Sequence, residues 1–164
     1  MAVEDKYTDA DLAAGKLGKA ALIMGAETIT IVGTEEIAAG DDNGSVYRFF
    51  KSVPSNLIPV EITICTDGIT AGTDYDLGLY KVGVGSAAVD ADVLMDGQTM
   101  ASALTRATGH QLGLQTVNIA DAGKTIGELS GQTDVDASYD IALTANTVGT
   151  AAGTITIIAK FAQG

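Results

Sequence analysis

Apolar and polar positions alternate most clearly in the stretch Asn43–Lys81, which holds three strand-like runs separated by turn residues. In the middle run Ile58, Val60, Ile62 and Ile64 fall on one side, and Pro59, Glu61, Thr63 and Cys65 on the other. A period of two means one buried face and one wet face, the mark of an antiparallel sheet. The run before it, Ser45–Val53, carries Tyr47, Phe49 and Phe50, so both of its faces are expected to be covered. The run after it, Asp74–Val82, sets Tyr75, Leu77 and Leu79 against Asp74, Asp76 and Gly78. Pro59 lacks an N–H and predicts an edge or a bulge at its end of the strand.

Further runs follow the same rule. Thr28–Val32 places Ile29 and Ile31 inward. Near the end, Tyr139, Ile141, Leu143 and Ala145 alternate with Asp140, Ala142 and Thr144, and Ile155, Ile157, Ala159 and Phe161 with Thr154, Thr156 and Lys160. A further strand is read over residues 110–119, with Leu112 and Leu114 inward, and a short helix within Met95–Leu104. Ala122–Leu129 reads as one or two helical turns with Ile126 and Leu129 facing inward. That makes about eight strands in one small domain, a count that indicates a sandwich or barrel. The similar first and last strands suit Greek-key or jelly-roll closure. The expected fold is all-β: an antiparallel, jelly-roll-like β-sandwich over residues 27–164, behind an N-terminal arm over residues 1–26.

The arm has a different pattern. Asp9 is placed to cap a short helix over Ala10–Ala14, but Gly15 and Gly18 interrupt it at about 1 kcal/mol each. It is at most one or two turns of helix and is otherwise extended. Tyr7, Leu12, Leu17 and Ile23 make it too apolar for a free tail, so they are the expected contacts with a partner. A frayed terminus without a role is the alternative.

Composition narrows the function. The chain has 164 residues, 46% of them hydrophobic but only 5% aromatic, with no Trp, so its core must be built from Ile, Val, Leu and Ala. The net charge is -12, from 9 basic and 21 acidic residues. That balance opposes binding to nucleic acid or to an anionic membrane, both of which call for Lys and Arg. Met1-Ala2-Val3-Glu4-Asp5 is acidic where a signal peptide is basic, and no apolar run approaches the ~20 residues of a membrane span. Synthesis and folding in a cytoplasm are expected. Cys65 is the single cysteine, which leaves no internal disulfide, and it reads as a small apolar filler.

No catalytic set emerges. His110 is the one histidine and lies in a loop-like Thr108-Gly109-His110-Gln111; with one Cys beside it in the count, neither a Ser-His-Asp triad nor a zinc site is expected. Gly83-Val84-Gly85-Ser86-Ala87-Ala88 fits a dinucleotide-binding pattern formally, but no βαβ unit surrounds it, and it reads as a flexible loop. Gly40-Asp41-Asp42-Asn43-Gly44 lacks the spacing of a calcium loop and reads as a solvated turn. The pairs Asp74/Asp76, Asp90/Asp92 and Asp134/Asp136 are read as solvent-facing carboxylates of an acidic protein. No cofactor and no metal ligand are expected, and the chain is not expected to be an enzyme.

Several segments resemble small virion structural proteins of tailed bacteriophages. They are Gly44-Ser45-Val46-Tyr47-Arg48, Val53-Pro54-Ser55, the run from Thr70 to Tyr80, Gly127-Glu128-Leu129, Tyr139-Asp140-Ile141, and Val148 through Ile155. The resemblance spans most of residues 28–162 and lies in turns and strands. It implies a head decoration (cement) protein with a β-sandwich. Such a protein binds the major capsid protein on the outer surface of the virion, as a homotrimer near three-fold and quasi-three-fold axes. It stabilises the head by bridging capsid subunits. The alternatives are a carbohydrate- or ligand-binding β-sandwich module and a head–tail or tail structural component.

Overall fold

The strongest alternations form the middle of the structure. A computed structural model describes residues 28–134 and 137–163. Among them are seven strands: β1 (Thr28–Ile37), β2 (Ser45–Pro54), β3 (Leu57–Thr66), β4 (Asp74–Lys81), β5 (Ala88–Gln98), β6 (Ser138–Thr147) and β7 (Gly153–Gln163). They make two antiparallel sheets, β1-β7-β3 and β2-β6-β4-β5, packed as a β-sandwich. In β7, Ile155, Ile157, Ala159 and Phe161 are fully buried; in β6, Ile141, Leu143 and Ala145; in β4, Tyr75, Leu77 and Leu79. These rows meet between the sheets and form one continuous core.

The pairing shows how the chain is wound. β1 pairs with β7, β2 with β6, and β4 with β5. First joins last and second joins second-last, so the chain is a long two-stranded ribbon rolled into two layers, the jelly-roll plan. β3 should then pair with the chain between β5 and β6. It meets irregular backbone there: Thr66 and Leu104 exchange both N–H···O bonds, and Ile64 N–H donates to Gly109 O. Seven strands thus stand where about eight were expected, the remaining position being filled without regular structure.

Several local expectations need correction. No strand forms over residues 110–119; Leu112–Leu114 is a 3-10 turn, because the segment directs its polar groups at the edge of β3. Leu112 and Leu114 still pack against the core. The short helix expected within Met95–Leu104 is absent: Met95 lies in β5 opposite Leu77, and Leu104 forms the bridge to Thr66. β5 escaped notice because Asp90 to Met95 runs opposite only Leu77 to Leu79, and a bulge of that size breaks alternation. The Ile58–Ile64 row is also broken. A register shift between Pro59 and Glu61 sets Pro59 opposite the core residue Phe161, while Ile58 and Val60 line a hollow with Leu114 and Val117. Ile29 is 47% exposed, at the end of an edge strand.

Other readings hold. The helical turn is α1 (Ile126–Leu129), closed by a capping box in which Thr125 and Glu128 satisfy each other's backbone N–H groups. Ile126 is buried, and Leu129 packs partly against the core. The arm and its expected contacts Tyr7, Leu12, Leu17 and Ile23 lie outside the described residues, as does Asp136.

Candidate interaction surface

Tyr47, Arg48 and Phe49 follow one another in β2, and the Arg48 side chain is almost fully buried. Its guanidinium donates from Nη1 to Asp140 Oδ2 at 2.8 Å and to Lys81 O at 2.9 Å, and from Nη2 to Ser86 O at 2.9 Å. It also lies over the Tyr80 ring, 5.2 Å from the centroid. Asp140 accepts further from Ser52 N–H at 2.9 Å and from Gly83 N–H at 3.1 Å. Burial alone would raise the Asp140 carboxyl, but those two N–H groups and Arg48 outweigh it and hold the carboxyl below its ordinary value. Tyr80 and Thr144 share a further hydroxyl–hydroxyl bond beneath. Arg48 and Asp140 are both almost fully buried, so this ion pair is screened little.

The network braces the connection between β4 and β5. Ser86 N–H donates to Gly83 O and Ser86 Oγ to Val82 O, which closes the turn. The Gly83–Ala88 segment, read from sequence as flexible, is therefore tied at its base by Arg48 and Asp140. Its tip presents Val82 and Val84, exposed by 48% and 92%. Beside it a surface hollow of about 440 Å³ is lined by Glu35, Val46, Tyr47, Lys51, Val84 and Ser86. Lys51 and Lys81 border the same region and make no ion pair among the described residues. The exposed part of this surface is thus mainly apolar, with Lys51 and Glu35 as the charged side chains of the hollow.

The groups weighed for chemistry are placed as follows. His110 is exposed and 4.0 Å from Glu61, which Lys160 engages at 2.7 Å. The Lys160 hydrogen bond holds the Glu61 carboxyl below its usual range. Asp76 is buried, contrary to the solvent-facing reading, and accepts from Gly97 N–H at 2.8 Å and Asn146 Nδ2 at 2.6 Å. Asp74 stays half-exposed beside it. Burial, followed by a hydrogen bond with Asp92, raises the Asp90 carboxyl. In the turn before β2, Asp41 accepts from Tyr47 Oη and Ala38 N–H, both of which lower its carboxyl. Burial pushes the Tyr75 hydroxyl up to about 12 while it donates to Val148 O. Cys65 is half-buried. Among the described residues no three His, Cys, Asp or Glu side chains converge as metal ligands, and no helix is long and apolar enough to cross a membrane.

Sequence reasoning missed Arg48. The available signal was an arginine amid Tyr47, Phe49 and Phe50 in a strand expected to be covered on both faces. A buried arginine calls for an acid, and Asp140 alternates with buried residues in β6.

No protein-family model matches the chain, and no curated protein matches it. Among solved structures, the chain is similar to the Cyanophage Pam1 capsid asymmetric unit, with 16% sequence identity and a TM-score of 0.43; the match covers 85% of this chain and 87% of that one.

Proposed function

We propose that this chain is a structural protein of a tailed-phage virion that decorates the head, binds the major capsid protein on its outer surface as a homotrimer, and stabilises the shell by bridging neighbouring subunits without catalysis. The observation that carries the reading is the braced β4–β5 connection. An apolar tip, Val82 and Val84, is held out by a buried Arg48–Asp140 pair on a rigid sandwich. Exposed valines on a fixed turn suit contact with another protein, since little conformational entropy remains to be lost on docking. The resemblance of the strand and turn segments to tailed-phage virion proteins supplies the partner.

Bridging several subunits raises avidity through effective concentration, and a trimer matches a local three-fold of the lattice. An acidic outer surface keeps virions apart in solution. The test compares heads with and without the protein under heating and under EDTA, with imaging of the head surface. Greater survival and added density at three-fold positions are expected. Equal survival and a bare surface reject the proposal, and a copy number of about one ring per virion assigns the chain to the head–tail junction instead.

A further inference from the structure

Asn43 is the one asparagine of the chain that is followed by glycine; Asn56, Asn118 and Asn146 precede Leu, Ile and Thr. In an unfolded chain an Asn-Gly pair is prone to deamidate, because glycine has no Cβ to keep its nitrogen away from the side-chain amide before it. The Gly44 nitrogen gives up its proton to base and attacks Asn43 Cγ. The Cγ–Nδ2 bond breaks and ammonia leaves, closing a succinimide ring. Water then opens one of the two ring C–N bonds, leaving either aspartate or isoaspartate.

The fold holds both reacting groups. Asn43 and Gly44 form the turn that enters β2, with Gly44 at φ 87°. Gly44 N–H donates to Ala145 O at 2.7 Å, at the end of the β2–β6 ladder. A proton held in such a bond reaches base only when the bond opens. Asn43 Oδ1 accepts from Val148 N–H at 3.0 Å, which ties the side-chain amide to the connection between β6 and β7. Val148 is itself buried, and its C=O takes the Tyr75 hydroxyl at 2.6 Å, so the tether ends on a fixed point. The residues before Asn43 are tied as well. Asp41 Oδ2 accepts from Ala38 N–H at 3.0 Å and from Tyr47 Oη at 2.6 Å, and Asp42 O accepts from Ser45 N–H and Ser45 Oγ. Yet Asn43 and Gly44 are both exposed, so water and base reach the turn freely. What separates this turn from a reactive one is hydrogen bonding and not burial.

We propose that Asn43 is a latent modification site: its deamidation is gated by the Gly44–Ala145 hydrogen bond and proceeds only in molecules whose turn has opened. The opening is local, because the bonds that hold the turn are its own and those of Val148. When the product is isoaspartate, the main chain runs through the former side-chain methylene. That added length displaces Gly44 from Ala145, and the turn does not close again on its native pattern. The modification is therefore a covalent record of the opening of this end of the sandwich.

The test keeps full-length protein in mildly alkaline buffer and follows aspartate and isoaspartate at position 43 by peptide mapping, with Gly44 amide exchange measured on the same samples. Folded protein is expected to deamidate at least about tenfold more slowly than guanidinium-unfolded protein, and Gly44 exchange to be slowed by a matching factor. Tyr47→Phe removes the hydroxyl that anchors Asp41 and should speed both processes about threefold, the size expected for one net hydrogen bond. Gln111→Ala weakens the fold at the β3 edge, away from the turn, and should leave both rates as in wild type. Equal rates in folded and unfolded protein would overturn the inference, as would rapid Gly44 exchange beside slow deamidation. So would a Tyr47→Phe rate equal to wild type, or equal acceleration by the two variants, which would make global unfolding the gate. None of these readouts involves a phage head, so the inference and the proposed function stand or fall separately.

Discussion

The two flanks of the sandwich solve the same problem in different ways. On one flank the edges β3 and β5 are joined by a single irregular segment that bonds to both. Gln111 works there as a substitute strand: its Oε1 accepts from Ile62 N–H and its Nε2 donates to Val60 O, at 3.2 and 3.1 Å. On the other flank β1 and β2 come together at Gly33, where a side chain would meet Phe49 O at 3.0 Å, and the outer edge of β1 makes no backbone bond among the described residues. The first flank accounts for its backbone groups within the described residues, whereas the outer groups of β1 find no partner among them.

The largest effect tests how tightly the first flank is built. A Cβ at Gly109 would stand 1.6 Å from Ile64 O, in the residue whose N–H donates to Gly109 O. Gly109→Ala should therefore expel the segment from the β3 edge and destabilise the fold by about 4 kcal/mol. Gly33→Ala meets Phe49 O at 3.0 Å and ring atoms of Phe49 and Phe50 at 3.1 and 3.2 Å, and the rings are able to shift. Its loss should be about 1 kcal/mol. Urea unfolding measures both, and equal losses would erase the distinction between the flanks.

Next comes the ion pair that ties β2, on the other flank, to the centre of its sheet. Asp140→Ala leaves Arg48 buried without its acid and should lower stability by about 3 kcal/mol near neutral pH. Asp140→Asn adds the pH dependence. The folded carboxyl titrates below its unfolded value of about 3.9, so its contribution is complete above that value and lost as pH falls through the folded one. The stability gap between wild type and Asp140→Asn should therefore narrow as the pH drops below about 4. A gap that stays constant to low pH would show that the carboxylate charge contributes nothing.

Gln111→Ala follows, smaller because one residue of cover is removed and not the whole segment. It leaves Ile62 N–H and Val60 O unpaired at a part-buried edge, for a loss of about 2 kcal/mol. Faster amide exchange should be confined to Val60–Ile64. If Ile29–Val32 responded as well, the two flanks would be one cooperative unit and the contrast drawn above would fail.

The legibility of each region in the sequence follows the same division. β4, β6 and β7 are central strands with neighbours on both sides, so their residues must alternate in or out without interruption, and Tyr75, Leu77, Ile141, Leu143, Ile155 and Ile157 are found inward as expected. The edge strands carry bulges at Pro59/Glu61, in β2 and in β5, and each bulge shifts the phase of the pattern. The cover over β3 has no period at all, because a glutamine side chain and single carbonyls do the work of a strand. Arg48 was invisible for a related reason: its partners Asp140, Lys81 and Ser86 are far off in sequence and are brought together only by the β2-β6-β4 order.

Val84→Asp should have the smallest effect on the fold and the most informative effect on function. Val84 is 92% exposed at the tip of the β4–β5 connection, and no Arg48 or Asp140 bond passes through its side chain. Stability should change by less than about 0.5 kcal/mol, as for surface positions generally. A carboxylate there adds charge to an already acidic protein and must be desolvated in any apolar contact, so binding to assembled heads should fall at least about tenfold, corresponding to roughly 1.4 kcal/mol. Co-sedimentation with heads lacking the protein reads this directly, with Ile119→Asp as the control, an equally exposed side chain (94%) on a different loop. If Val84→Asp binds as wild type does and Ile119→Asp does not, the contact surface lies with the segment between β5 and β6, and the braced turn is a structural corner of the sandwich.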